Sequence, residues 1–152
     1  MYKKILVPLD GSELAECALS HVRAIATGCR VPEVVLLGVV EPISQPVYAA
    51  FGDEQVRDIQ KATQAYANDY LLKVAGGLKE DGIVVQTVVV SGRPAEGILD
   101  YASNNQADLI IMSTHGRSGV SRWVLGSVAE KVVRHCVAPV LIISPPGCRG
   151  SE

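Results

Sequence analysis

The chain has 152 residues, room for one domain of ordinary size and none for a separate catalytic domain. Hydrophobic residues make up 48% and aromatic ones only 5%, so the core must be built from Val, Ile, Leu and Ala. The formal net charge of −2 and the lack of any clustered basic excess argue against a nucleic-acid binder, and no apolar run is long enough to span a membrane.

In chain order, the first apolar run is Ile5–Leu9, which reads as a strand. The opening MYKKILVPLD holds too short an apolar stretch for a signal-peptide core, so a cytoplasmic address is expected. The turn Pro8-Leu9-Asp10-Gly11-Ser12 follows, and then a helix with apolar positions Ala15, Ala18, Val22 and Ile25 at the 3–4 spacing of a helix face. Asp10 is placed to reach a ribose, a base edge or a phosphate-bound metal. It is equally placed to cap that helix, with Glu13 three residues on.

Val34–Val40 is the second strand, and Glu41–Phe51, with Pro42 and Pro46, reads as a long connection. A long helix follows through Val56, Ile59, Thr63, Tyr66, Tyr70, Val74 and Leu78. Val84–Val90 is the third strand, and Pro94 opens a helix carrying Ala95, Ile98, Leu99 and Ala102. Leu109–Met112 is the fourth strand, the helix of Val128, Ala129, Val132 and Val133 comes next, and Val140–Ile143 is the fifth strand. The strands are nearly continuous in Val and Ile rather than alternating, the pattern of strands buried on both faces of a parallel sheet. Alternation of strand and helix predicts an α/β fold with right-handed crossovers and helices on both faces. The domain is expected to span 1–146, with 147–152 a frayed tail. The four cysteines are dispersed, without metal-ligand spacing, and read as free thiols.

The second long connection, Ser113–Gly126, contains Gly116 and Gly119. Long loops at the carboxyl ends of strands are where an open α/β sheet places its ligand. Gly126-Ser127 opens a helix, whose unpaired N–H groups and positive dipole end favour a phosphate. Ser127-Val-Ala-Glu130 also fits a capping box, which needs no ligand. His115, Arg117 and Arg122 are candidate phosphate contacts or solvated loop residues, and Trp123 is a stacking residue or a loop anchor. There is no G-x-x-x-x-G-K-[ST], no G-x-G-x-x-G after the first strand, no G-x-S-x-G and no H-E-x-x-H. These absences leave no turnover mechanism to assemble, so a non-enzyme, or at most a very slow ATPase, is expected.

MYKKILVPLDGSELAECAL, GRPAEGILDYASNNQADLIIM and MSTHGRSGVSRWVLGSVAEKVVRHCVAPVLII together resemble the universal stress protein family along the whole chain. The family's signature G-x2-G-x9-G-[ST] is matched at Gly116, Gly126 and Ser127, while Ser113 stands where the first glycine belongs. The resemblance implies an open five-stranded parallel sheet of order 3-2-1-4-5, of the adenine-nucleotide alpha-hydrolase-like kind. It implies ATP, or AMP or cyclic AMP, with magnesium. Residue by residue, Asp10 and Val39 would face the adenosine half, with Pro8 and Leu9 also among the nucleotide contacts. Ser113, His115, Gly116, Arg117, Gly126, Ser127 and Val128 would line the ribose and phosphates, with Asp10 an indirect contact of the metal. It further implies a homodimer paired through Val140, Leu141, Ile142 and Ile143, an apolar edge that is an aggregation hazard unless covered. The expected role is a nucleotide-dependent stress-response module, the alternative an interaction protein without nucleotide.

Overall fold

The computed structural model describes residues 1–116 and 125–145. Five strands, β1 (Lys4–Pro8), β2 (Glu33–Val40), β3 (Val85–Ser91), β4 (Leu109–Ser113) and β5 (Val140–Ile143), form one parallel sheet of order β3-β2-β1-β4-β5. The strand order is the one the resemblance implied. The near-continuous apolar strands have the anticipated cause, because both faces of the sheet are covered. Ile5, Val7, Val34, Leu36, Leu109 and Ile111 point to one core, while Leu6, Val35, Leu37, Ile110 and Met112 point to the other. Each such fully buried side chain contributes about 1.5–3 kcal/mol of transfer free energy, an upper estimate before chain entropy is counted.

The first core is closed by α1 (Glu13–Glu16), α2 (Leu19–Gly28) and α3 (Gln45–Glu80). The second is closed by α4 (Pro94–Asn104) and α5 (Ser127–His135). Two sequence expectations need correction here. The single helix expected after Leu14 is two, broken at Cys17-Ala18, with Ala15, Ala18, Leu19 and Val22 still packed on one side. The connection expected over Glu41–Phe51 is much shorter, because α3 begins at Gln45 with Pro46 in its first turn. Proline lacks the N–H that a first turn leaves unpaired anyway, so it starts this helix rather than prolonging the loop. Gly52, at φ 76°, breaks α3 and re-aims the 36-residue segment.

β1 lies between β2 and β4, with β2 and β3 added on one side of it and β4 and β5 on the other. This is the point at which strand order reverses, and the carboxyl ends of β1, β2 and β4 open there into a crevice. Strand pairing continues past the strand ends to hold its rim. The Leu9 N–H donates to the Leu37 carbonyl at 2.9 Å, and the Thr114 N–H donates to the Ile143 carbonyl at 2.9 Å. No described helix is long and apolar enough to cross a membrane.

Candidate functional site

The crevice is a cleft of about 560 Å³, inside the range of small-molecule sites. Its floor is the edge of β1 and β2 with Leu37, Gly38 and Val39. One wall is the amino-terminal part of α4 and α5, and the other is a face of α3. Every candidate site residue of the described chain lines it: Pro8, Leu9, Asp10, Val39, Ser113, His115, Gly116, Gly126, Ser127 and Val128. Arg117, Arg122 and Trp123 lie outside the described residues, as does the tail expected at 147–152.

The turn after β1 is organised by Asp10. Its Oδ1 accepts from the Ser12 N–H at 2.9 Å and from the Ser12 hydroxyl at 2.6 Å. Ser12 Oγ in turn accepts from the Ala15 N–H at 3.2 Å, which makes Ser12 the N-cap of α1. The alternative in which Asp10 itself caps the helix is therefore overturned. Asp10 orients the capping serine, and its carboxylate stands half-buried on the cleft.

The Asp10 carboxylate also explains Gly116. A Cβ built on Gly116 would run into Asp10 Oδ2, so any side chain there requires the Asp10 carboxylate to move. Gly126 is constrained in the same way, since its Cβ would collide with the Thr114 carbonyl, which accepts the Gly126 N–H at 3.0 Å. That bond pinches the loop shut at its base and sets the start of α5. Both glycines are accounted for by contact between protein segments, where the sequence had suggested only the approach of an anion.

The capping-box alternative at Ser127 is also corrected. Gly126 is the N-cap of α5 and makes no side-chain bond, Ser127 is already helical, and Glu130 pairs with Arg134 at 2.9 Å. The exposed Ser127 residue lines the cleft at the first turn of the helix, where N–H groups lack intrahelical partners.

Ser113, in the place of a signature glycine, is only 6% exposed. Its hydroxyl oxygen accepts from the His115 N–H at 3.3 Å and from the Cys17 thiol at 3.6 Å, so the side chain is engaged inside the protein. His115 Nδ1 is 2.8 Å from Thr114 Oγ1. Among the described residues no cluster of three or more His, Cys, Asp or Glu is disposed to hold a metal ion, and Cys17, Cys29 and Cys136 are free thiols.

The sequence reading missed the α3 wall of Thr63, Tyr66, Ala67, Tyr70 and Leu71. Their spacing places them on one helix face. The usable signal was the tyrosine pair four residues apart. Tyr70 lines the cleft with a buried hydroxyl that has no hydrogen-bond partner among the described residues. Burial first, then the Glu16 and Asp10 carboxylates, push its phenol well above the ordinary tyrosine range.

Comparison with known proteins bears on this geometry. The profile of the Universal stress protein family matches residues 1–144. Universal stress protein MJ0531 of Methanocaldococcus jannaschii is 34% identical over 146 residues, covering 96% of this chain and 84% of the relative. The structure of MJ0577 from the same organism superposes with a TM-score of 0.84 at 33% identity, covering 99% of both chains. A universal stress protein solved in complex with cAMP has the same fold, with a TM-score of 0.62 at 24% identity, covering 94% of this chain and 97% of the other.

Proposed function

The chain belongs to the universal stress protein family, and from that premise we propose that it is an ATP-binding module whose dimer changes shape or partners with nucleotide occupancy. The observation that carries the reading is the convergence on one cleft of the Asp10 turn, the inward-folded Ser113 and the first turn of α5 with Ser127. An anion at that helix start gains unpaired N–H donors and the positive dipole end. Asp10 faces the same space with a carboxylate suited to a ribose hydroxyl, a base amino group or a hydrated magnesium ion. Because the Ser113 hydroxyl is occupied by Cys17 and His115, its replacement of a glycine leaves the cleft open. A protein of the same fold takes cyclic AMP, so an adenine nucleotide is a ligand that this fold accommodates.

Hydrolysis is not part of the proposal. Phosphoryl transfer needs an oriented nucleophile and charge stabilisation that strengthens in the transition state. A helix start binds ground-state phosphate as well as the transition state, which tightens binding without speeding turnover. The protein would act in the cytoplasm as a homodimer joined through β5, a sheet edge whose Val140, Leu141 and Ile142 remain half-exposed in the single chain. Two copies paired about a twofold axis would cover both edges.

One observation favours a second reading. Gly116 and Gly126 are explained without any ligand, as required in an interaction protein that binds no nucleotide. Calorimetry with ATP, AMP and cyclic AMP, with and without magnesium, separates the two. Binding with a micromolar dissociation constant, about −8 kcal/mol, supports the nucleotide reading. No heat with any of the three, and no nucleotide released on denaturing the purified protein, leaves the interaction module.

A further inference from the structure

The wall formed by α3 has no counterpart in the signature residues. Tyr66 lines the cleft and is 71% exposed, a large aromatic ring left mostly open at the ligand space. Ala67 and Tyr70 line the cleft beside it, so a short residue lies between two rings one helical turn apart. Beneath this stripe the sheet presents Gly38, whose Cβ position lies 3.4 Å from Leu71, and Leu71 continues the stripe into the core.

The electrostatic layout gives the cleft a direction. The start of α5, with Ser127, lies on the wall across the sheet edge from α3 and attracts negative charge. On the α3 side the Glu16 carboxylate acts on Tyr70 and disfavours further negative charge. A nucleotide therefore enters with its phosphates toward α5 and its neutral, planar half toward α3.

We infer that α3 supplies a stacking wall, in which the exposed ring of Tyr66 packs against the base of the bound nucleotide. The inference rests on the nucleotide reading and deepens it by making Tyr66 a determinant of base recognition. Stacking costs this site little, because Tyr66 is already mostly exposed and loses water from its ring face on binding. A pairing of ring on ring tolerates different bases, so Tyr66 contributes affinity for a planar heterocycle, while the polar groups of the floor would choose among them.

The test is equilibrium binding of ATP and of AMP to the wild type, Tyr66→Ala and Tyr66→Phe. Since Tyr66 is exposed, both variants are expected to keep the wild-type denaturation midpoint. Tyr66→Ala should weaken ATP and AMP by the same factor, about tenfold, as expected for loss of one base–aromatic stack. Tyr66→Phe, which keeps the ring, should bind within about twofold of wild type. Wild-type binding that Tyr66→Ala leaves unchanged overturns the stacking wall alone. A loss for ATP that AMP does not share also overturns it, by placing the contact at the outer phosphates. If the wild type binds neither nucleotide, the nucleotide reading falls and takes this inference with it.

Discussion

Replacing Gly126 by alanine tests whether the loop is pinched at its base as described. The added methyl would meet the Thr114 carbonyl oxygen, which belongs to the backbone and cannot rotate away as a side chain would. That oxygen accepts the Gly126 N–H at 3.0 Å, so relieving the overlap stretches or breaks this bond. Gly126 is also the N-cap of α5, and its carbonyl accepts the Glu130 N–H at 2.8 Å, so a shift passes into the first helical turn. Ala129 and Val132 on that helix are 1% and 0% exposed, which leaves the helix little room to slide. One lost hydrogen bond of about 1 kcal/mol and overpacking of about 1–3 kcal/mol give a destabilisation of about 2–4 kcal/mol. For a chain of this length that is a fall in Tm of roughly 5–15 °C. Urea denaturation followed by circular dichroism measures it directly. The control is Gly76→Ala in α3, where a Cβ meets nothing within 4 Å and φ is ordinary; it should stabilise by about 0.5–1 kcal/mol. If Gly126→Ala matches wild type in denaturation midpoint, the close approach of Gly126 to Thr114 is wrong. In that case the glycine would have to be explained by a ligand after all.

Gly116→Ala should cost about 1–3 kcal/mol in the wild-type background but little in Asp10→Ala, because the obstructing carboxylate is then gone. Equal costs in the two backgrounds would show that Asp10 and Gly116 do not touch. Tyr70→Phe should be at least as stable as wild type at neutral pH, since it removes a buried hydroxyl with no hydrogen-bond partner among the described residues. The Tyr70 phenol has a raised pKa in the folded state, so its contribution is present below the ordinary tyrosine value near 10 and is lost as pH rises beyond it. The stability gap in favour of Tyr70→Phe should therefore widen above about pH 10, and a constant gap across pH 8–11 would refute the assignment. Leu141→Lys, placed on the edge strand β5, should convert a dimer to a monomer in light scattering; a wild-type monomer would remove the edge-pairing proposal.

The amino-acid sequence by itself determined the architecture. Val34–Leu37 and Ile110–Met112 are short, Val- and Ile-rich and apolar at consecutive positions, as in strands covered on both faces, and helix lies between successive strands. It also located the cleft, because Asp10, Ser113 and Gly126-Ser127 follow strand ends or open a helix, and those local positions are legible without knowing any distance. Only the tertiary structure decided what each of these residues does there. Asp10 resembled a helix cap until Ser12 was seen to take that role, a choice made by the turn's backbone path and not by spacing. Gly116 and Gly126 were legible as glycines of a phosphate loop, whereas the collisions of an added Cβ with Asp10 and Thr114 are contacts between segments that no pattern within either segment encodes. Tyr66 and Tyr70 showed the periodicity of a core stripe. The same 3–4 spacing describes any helix face, and the fold directed this part of it into the cleft rather than wholly into the core.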